Sequence, residues 1–496
     1  MAETNNYLAN DLGAESGRTI LGALRDGRIA LTETHRFPNE PVRLPDGIYW
    51  DILRLWTEIK AGIAKTVKGG VKLDSLGVDT WGVDFALLDK NGNLLGNPHH
   101  YRDVRTDGIL DEAFRLMPRE EIFAHTGIQF MQFNSLYQLL AMVQDNSPVL
   151  EVAHTFVTIP DLLNFWLSGE ISNEFTNATT TQCFDPRQNS WAIPVLDALG
   201  IPTHLFDSVT DPGTLIGTLL PVVNEETGAG DVKVVIPACH DTGSAVVAVP
   251  AQNQDFAWIS SGTWSIMGAE VKEPVLTERA LQYNFTNEGG VFDTWRLSKN
   301  IMGLWIIQEC RRAWQKHGKD HSYDEMTLLA TEANPFLAVI DPDDDAFFHP
   351  GDMPQKIQDI CHKTGQPIPQ SHGEILRVAL ESLALKYRWV LARLEGLVDK
   401  EFAPIHIIGG GTQNRLLNQF TANATGRTVV TGPIEATAIG NLLIQTIGLG
   451  HLDTLADARE VVRNSFDVED YHPLNRNGWD EAYKRLLNLL ENQELL

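Results

Sequence analysis

An α/β fold of two halves with the same order of elements is predicted for this chain on three observations. Residues 7–78 read as three strands, an amphipathic helix and a buried strand. The strand, turn, strand opening comes back after residue 255, and late in the sequence apolar strands alternate with amphipathic helices, as in a sheet covered by helices.

In chain order, strands are expected at 7–12, 18–24 and 28–35, with Asp26-Gly27 between the last two. That dipeptide tolerates the positive φ angles of a two-residue hairpin turn. A helix over 51–68 places Leu53, Trp56, Ile59, Ile63 and Val67 on one face, and a buried strand at 76–78 completes the β-β-β-α-β order. Asn91-Gly92 predicts a second hairpin, joining 85–88 to 94–95. An apolar strand at 234–237 runs into Ala238-Cys239-His240-Asp241-Thr242-Gly243, and the boundary between an N-terminal lobe 1–244 and a C-terminal lobe 245–496 is set there. Strands 256–260 and 263–269 then flank Ser261-Gly262, with a third at 291–297. A helix over 374–394 aligns Leu376, Leu380, Leu383, Tyr387, Val390 and Leu394 on one stripe. It leads to a strand at 405–408, the glycines Gly409-Gly410-Gly411, a helix from Asn414 and a strand at 428–430.

Composition excludes several classes of function. Apolar residues make up 43% and charged residues 21%, values of a soluble globular protein. Acidic residues outnumber basic ones by 65 to 39, so the surface repels a phosphate backbone and no nucleic-acid partner is expected. Cys183, Cys239, Cys310 and Cys361 form no CxxC or zinc spacing and read as reduced core thiols. No basic-then-apolar leader and no run of about 18 apolar residues occurs, which predicts a cytoplasmic protein without a membrane partner.

The chemistry is expected in the turns. Asp11-Leu12-Gly13-Ala14-Glu15-Ser16-Gly17-Arg18 sets an acid at a strand end ahead of a turn of small residues, whose backbone N–H groups can face phosphate. Ile259-Ser260-Ser261-Gly262-Thr263-Trp264-Ser265 places a comparable turn at the start of the second half. Neither GxxxxGK[ST] nor GxGxxG is present, so phosphate binding falls to other turns, among them Gly409-Gly410-Gly411 between strand and helix. Asp241, after a buried strand, reads either as a carboxylate beside a reacting hydroxyl or as a helix N-cap. Asp341-Pro342-Asp343-Asp344-Asp345 begins like a calcium loop. It has Ala346 where Gly is required and Asp352 where Glu is required, and reads as a solvated acidic loop. His99-His100 lacks a third ligand at metal spacing.

The runs DLGAESGR, GVDTWGVDFALLD, YRDVRT, GIQFMQFNSLYQL, TNATTTQ, CHDTGSA, SSGTWSIMG, NIMGLW and IIGGGTQN, in this order over nearly the whole chain, resemble the FGGY family of carbohydrate kinases. The resemblance implies two actin-like (ribonuclease-H-like) lobes around a central catalytic cleft, and ATP-dependent phosphorylation of a ketose. The sugar-side runs point to L-rhamnulose, phosphorylated at its 1-hydroxyl. L-fuculose is the nearby alternative, and an actin-like ATPase without sugar kinase activity is the alternative from another class. By this resemblance Ala14, Glu15, Ser16, Gly17 and Arg18 form the first phosphate loop, and Thr263, Gln308 and Gly411 are further ATP contacts. Gly82, His240, Asp241, Thr242 and Asn300 bind the sugar, with Asp241 the catalytic base. Asp11 orients Mg²⁺, through water. Glu15 is the odd member, because a carboxylate within about 5 Å of phosphate costs binding unless a cation intervenes or the side chain faces water. Trp81, beside Gly82, is placed to stack on or shape the sugar site.

Overall fold

The computed structural model describes residues 4–493. The chain divides into two compact units. The first holds the residues up to Gln252 together with Glu270–Leu297 and Glu435–Phe466, and the second holds Asn253–Ala269, Ser298–Ile434 and the residues from Asp467 onward.

The first unit is built on a six-stranded sheet of β1 (Asn5–Leu12), β2 (Ser16–Arg25), β3 (Arg28–Pro38), β4 (Ser75–Thr80), β5 (Leu215–Thr218) and β6 (Lys233–Val235), in the order β5-β6-β4-β1-β2-β3. Asp26 and Gly27 take φ of 50° and 69°, the left-handed pair that a tight hairpin needs. Helix α1 (Ile52–Val67) starts at Asp51, whose side chain accepts from Arg54 N at 3.2 Å. Its core stripe is Ile52, Leu55, Ile59 and Ile63, packed with Leu76 and Val78 of β4 and with Leu162 and Leu163 of α2 (Ile159–Ser168). Leu53, expected on the buried face, is 58% exposed, because the stripe that starts one residue earlier carries more branched apolar mass to the sheet.

Strand Phe85–Leu88 pairs along its length with Thr155–Thr158. The expected hairpin to 94–95 survives as one bridge, Leu88 to Leu94, and one hydrogen bond, Leu95 N to Leu87 O at 2.9 Å. Four extended apolar residues gain more from a partner of equal length than from two residues beyond a turn.

Beneath this segment the Asp84 carboxylate is 1% exposed and collects four N–H donors. Its Oδ2 accepts from Trp50 Nε1 at 2.6 Å, Trp81 Nε1 at 2.9 Å and Tyr101 N at 3.3 Å, and its Oδ1 accepts from Gln138 Nε2 at 2.9 Å. Burial nevertheless pushes its pKa up to about 6. The folded chain therefore holds this proton over a range, from about pH 4 to 6, where the unfolded chain has released it. The stability it contributes is fully present below about pH 4 and is lost as pH rises through about 6. Asp84→Asn removes the titration, so Tm of wild type minus Tm of the variant is expected to be more positive at about pH 5 than at about pH 7.5. A pH-independent difference in parallel thermal melts contradicts this.

The second unit repeats the plan with β7 (Ala257–Ser261), β8 (Trp264–Val271), β10 (Ile405–Ile408), β11 (Val429–Thr431) and β12 (Asp470–Tyr471). β7 is antiparallel to β8 and parallel to β10, β10 is parallel to β11, and β11 is antiparallel to β12. The run β8-β7-β10-β11-β12 thus copies β2-β1-β4-β6-β5 in order and direction. The third strand, β9 (Trp295–Met302), begins later than expected: Phe292 and Asp293 take φ of 52° and 59° in a turn closed by Gly290 N to Thr294 O at 2.8 Å. The long helix His372–Val398 opens with a capping box in which Ser371 and Glu374 bond each other's backbone N–H, and its predicted apolar stripe is buried throughout.

The acidic stretch at Asp341 is not a solvated loop. Asp341 is 7% exposed and accepts from Lys386 Nζ at 2.7 Å, and the same ammonium reaches Asp343 at 3.0 Å. Asp343 also accepts from Met302 N at 2.8 Å, so the acids anchor the end of β9. Charged residues at this depth persist only when paired, and no single-sequence periodicity announces a partner 45 residues away.

Candidate functional site

In the first unit, pairing brings the carboxyl ends of parallel strands together, the end of an α/β sheet where ligands bind. Asp11 of β1 stands beside Asp79 of β4, and Leu12 beside Thr80. Thr80 in turn bridges His240, and its N–H bonds Cys239 O at 2.9 Å. The next residue, Asp241, begins α3 (Asp241–Val247), for which His240 is the N-cap. Asp11, Asp79, His240, Asp241 and Thr242 are thereby gathered by main-chain pairing alone.

Asp241 is not itself the cap. Its Oδ1 accepts from Thr242 N at 2.5 Å and Thr242 Oγ1 at 3.1 Å, and His240 Nε2 lies 3.4 Å from the same oxygen. These contacts all fall on Oδ1, while 29% of the side chain stays exposed. Burial raises its pKa, His240 opposes the rise, and the charge of Asp11 adds to it. A carboxylate poised in this way, anchored by one oxygen, can accept a proton on the other.

Asp79 is fully buried, with Oδ2 accepting from Asn441 Nδ2 at 2.5 Å and Oδ1 without a hydrogen-bond partner among the described residues. Burial, and then the charge of Asp11, hold its carboxyl well above the usual range. Asp11 Oδ2 accepts from Arg18 Nε at 2.9 Å and Nη2 at 2.8 Å, and Arg18 Nη1 reaches Glu435 at 2.7 Å. The turn between them is closed by Gly13 N to Ser16 O at 3.0 Å and pinned by Asn39, which donates to Gly13 O from Nδ2 and to Glu15 O from N, both at 2.9 Å. Ala14, Ser16 and Gly17 line this turn. Glu15 is exposed.

Gly82 is joined to the same end of the sheet through Asn177, whose Nδ2 donates to both Trp81 O and Cys239 O at 3.4 Å. A Cβ on Gly82 would lie 3.0 Å from Thr180 Oγ1, and that hydroxyl accepts from Val83 N at 3.1 Å. Trp81 is 6% exposed, its ring centroid 4.0 Å from that of Trp50 at a tilt of 35°, and it is tied to Asp84, so it shapes the floor under Gly82 and offers little ring for stacking on a sugar.

In the second unit the Ser261, Gly262, Thr263 turn caps a helix. Leu304 N bonds Gly262 O at 3.0 Å and Trp305 N bonds Thr263 O at 3.1 Å, which fixes the start of the helix Trp305–Lys316. Gln308 lies in its first turns, with Oε1 buried and without a hydrogen-bond partner among the described residues. Gly411 stands against the same turn: a Cβ there would be 2.0 Å from Ser261 Oγ. Gly409, with φ of 86°, bends the chain out of β10 into the short 3-10 turn Gly410–Gln413. Thr263, Gln308 and Gly411 are therefore neighbours in structure. Asn300 sits on β9, two residues before the Met302 amide held by Asp343.

The sequence reading missed Asp79, Asn177, Glu288 and Arg296. Asp79, an acid in an otherwise apolar strand and in step with Asp11, carried a legible signal; the other three are brought in by tertiary contact alone. Among the described residues no group of three or more His, Cys, Asp or Glu side chains could hold a metal ion, and no helix is long and apolar enough to cross a membrane.

Residues 6–248 match the family model of the FGGY family of carbohydrate kinases, N-terminal domain, and residues 257–449 its C-terminal domain. The chain is 45% identical over 483 residues to a rhamnulokinase of Bacteroides thetaiotaomicron, covering 97% of this chain and 99% of that one. It is 43% identical over 471 residues to a rhamnulokinase of Oceanobacillus iheyensis, covering 95% and 99%. Its fold is similar to those of a gluconate kinase from Lactobacillus acidophilus (TM-score 0.81, 16% identity, 100% and 98% covered) and of a ligand-bound xylulose kinase from the same organism (0.82, 15%, 99% and 98%). With both family domains matched along a chain whose two sheets repeat one plan, this protein belongs to the FGGY family of carbohydrate kinases.

Proposed function

We propose that the chain transfers the γ-phosphoryl group of ATP to the 1-hydroxyl of L-rhamnulose, giving L-rhamnulose 1-phosphate and ADP, as a cytoplasmic enzyme of L-rhamnose catabolism. Its partner is this small ketose, without nucleic acid or membrane. The observation that carries the phosphoryl-transfer reading is Asp241, half-buried at the carboxyl end of the sheet with all its polar contacts on one oxygen. The choice of ketose rests on the relatives named rhamnulokinase.

In this reading lobe 1–244 supplies the sugar side and the first phosphate loop, and lobe 245–496 the nucleotide side. Gly82, His240, Thr242 and Asn300 bind the sugar hydroxyls, and Asp241 takes the proton of the attacking one. Backbone N–H groups of Ala14, Glu15, Ser16 and Gly17, with the charge of Arg18, face phosphate, and Thr263, Gln308 and Gly411 hold the rest of the nucleotide. The acid pair Asp11 and Asp79, with Asp79 Oδ1 unpartnered, suits a hard cation that takes only one or two protein carboxylates, and Asp11 is the residue that would hold it, through water. Mg²⁺ bound there neutralises charge on the phosphates.

ADP release, measured by a coupled assay over a panel of acceptors, is expected to require a ketose and Mg²⁺ and to favour L-rhamnulose over L-fuculose, L-xylulose and glycerol. Equal or greater kcat/KM with any competitor overturns the choice of sugar and leaves the kinase in place. ADP release without any acceptor, at the same rate, would instead indicate an actin-like ATPase.

A further inference from the structure

Behind His240 lie two buried charged residues to which the reaction above gives no task. Glu288, on the strand Thr286–Gly289, is 5% exposed, and Arg296, on β9, is 1% exposed. Arg296 Nη2 lies 3.1 Å from His240 Nδ1 and 3.2 Å from Glu288 Oε2, and its Nε donates to Gly289 O at 2.8 Å. The guanidinium is thus held by its hydrogen bond to Gly289 O and by the ion pair with Glu288, with one N–H group aimed at the imidazole.

A guanidinium has donors and no acceptor. The ring nitrogen facing Arg296 Nη2 must present a lone pair, so the ring proton belongs on Nε2, the nitrogen 3.4 Å from Asp241 Oδ1. The other tautomer would put Nδ1–H toward Glu288 Oε2, 3.2 Å away, but it would set that hydrogen against the Arg296 N–H and turn the Nε2 lone pair toward the Asp241 carboxylate. The Arg296 arrangement satisfies both ends of the ring.

We propose that Glu288 and Arg296 are positioning residues that hold His240 with Nε2–H directed at Asp241 Oδ1, so that Oδ2 is the oxygen that takes the proton of the sugar hydroxyl. Glu288 acts at one remove: its carboxylate holds the guanidinium, the guanidinium selects the tautomer, and the ring N–H joins the two Thr242 donors on Oδ1. The proposal rests on the reading of Asp241 as the base.

Two measurements on the full chain test it. In long-range ¹H–¹⁵N spectra of ¹⁵N-histidine-labelled protein at about pH 8, where an ordinary imidazole is neutral, the ring assigned by its disappearance in His240→Gln is expected to show the Nε2–H pattern. An Nδ1–H pattern overturns the proposal. In the ketose assay, Glu288→Gln and Arg296→Lys are each expected to lower kcat by about 10-fold to 100-fold with KM for ketose and ATP within about twofold, and to cause no further loss when placed in a His240→Gln background. The same fold-loss in both backgrounds would show that they act independently of His240 and would also overturn it. If either substitution prevents folding, the tautomer of the wild-type ring decides alone. Wild type without ketose-dependent turnover would count against the proposed function, while the spectra still report the ring.

Discussion

Asp241→Asn is expected to keep the fold and nucleotide binding of the wild type and to lose about 10² to 10⁴ in kcat, the usual contribution of a general base. The amide oxygen can retain the contacts on Oδ1 from Thr242 N and Oγ1, and the amide nitrogen replaces Oδ2, so shape is kept and basicity is removed. The local structure isolates this effect well. Asp241 is the first residue of its helix and His240 the N-cap, so substitution takes away no capping bond. Even as a cap Asn would serve about as well as Asp, which means a purely structural role predicts almost no change. Removing a carboxylate that burial and Asp11 both hold toward its neutral form also relieves a cost, so Tm should stay level or rise. Single-turnover kinetics and a thermal melt on one preparation decide between the readings. A variant that melts like wild type, binds nucleotide and keeps more than about a tenth of wild-type kcat rejects Asp241 as the base.

What was legible in the sequence follows the range of the interactions. Asp26-Gly27, the helix over 372–398 and the strand at 405–408 are fixed by φ preferences, capping and periodicity within a few residues, and their positions agree with the expectation within a few residues. The duplication was legible for the same reason, since each half repeats its local signals. Features settled by distant partners were not. Residues 85–88 have a good turn nearby and still pair with 155–158, and the acids at 341 and 343, polar in the local sequence, are held by Lys386 between them. The site divides along the same line. Residues in Gly- and Ser-rich turns or at strand ends could be picked out in one dimension, Asp11 and Asp241 among them. Glu288 and Arg296 reach His240 from 48 and 56 positions away, in strands whose patterning shows burial and nothing of what they face.

Gly440→Ala is expected to destabilise the first unit by about 3 kcal/mol or more, against the usual sign for this exchange. In a helix interior alanine is ordinarily better than glycine by about 1 kcal/mol, because glycine loses more backbone entropy on folding. Gly440 lies inside α4 (Ala436–Gly448), where that gain would apply. It is outweighed by contact with α3: a Cβ at this position would lie 1.7 Å from Ser244 O, 2.5 Å from Ser244 C and 3.1 Å from Ser244 Cα. All three are backbone atoms, so no rotamer change relieves the clash and the two helices have to separate. Separation moves functional groups on both sides. Asp241 opens α3 three residues before Ser244, and Asn441, next to Gly440, donates to Asp79. Tm should therefore fall by about 4 to 5 °C or more, with a drop in kcat in the protein that still folds. Gly69→Ala is the control, since its added methyl meets only Thr66 O at 3.8 Å, and its stability should remain within about 1 kcal/mol of wild type. Thermal melts that place Gly440→Ala beside Gly69→Ala would show that α3 and α4 can part at little cost and that the close approach does not hold Asp241 in place.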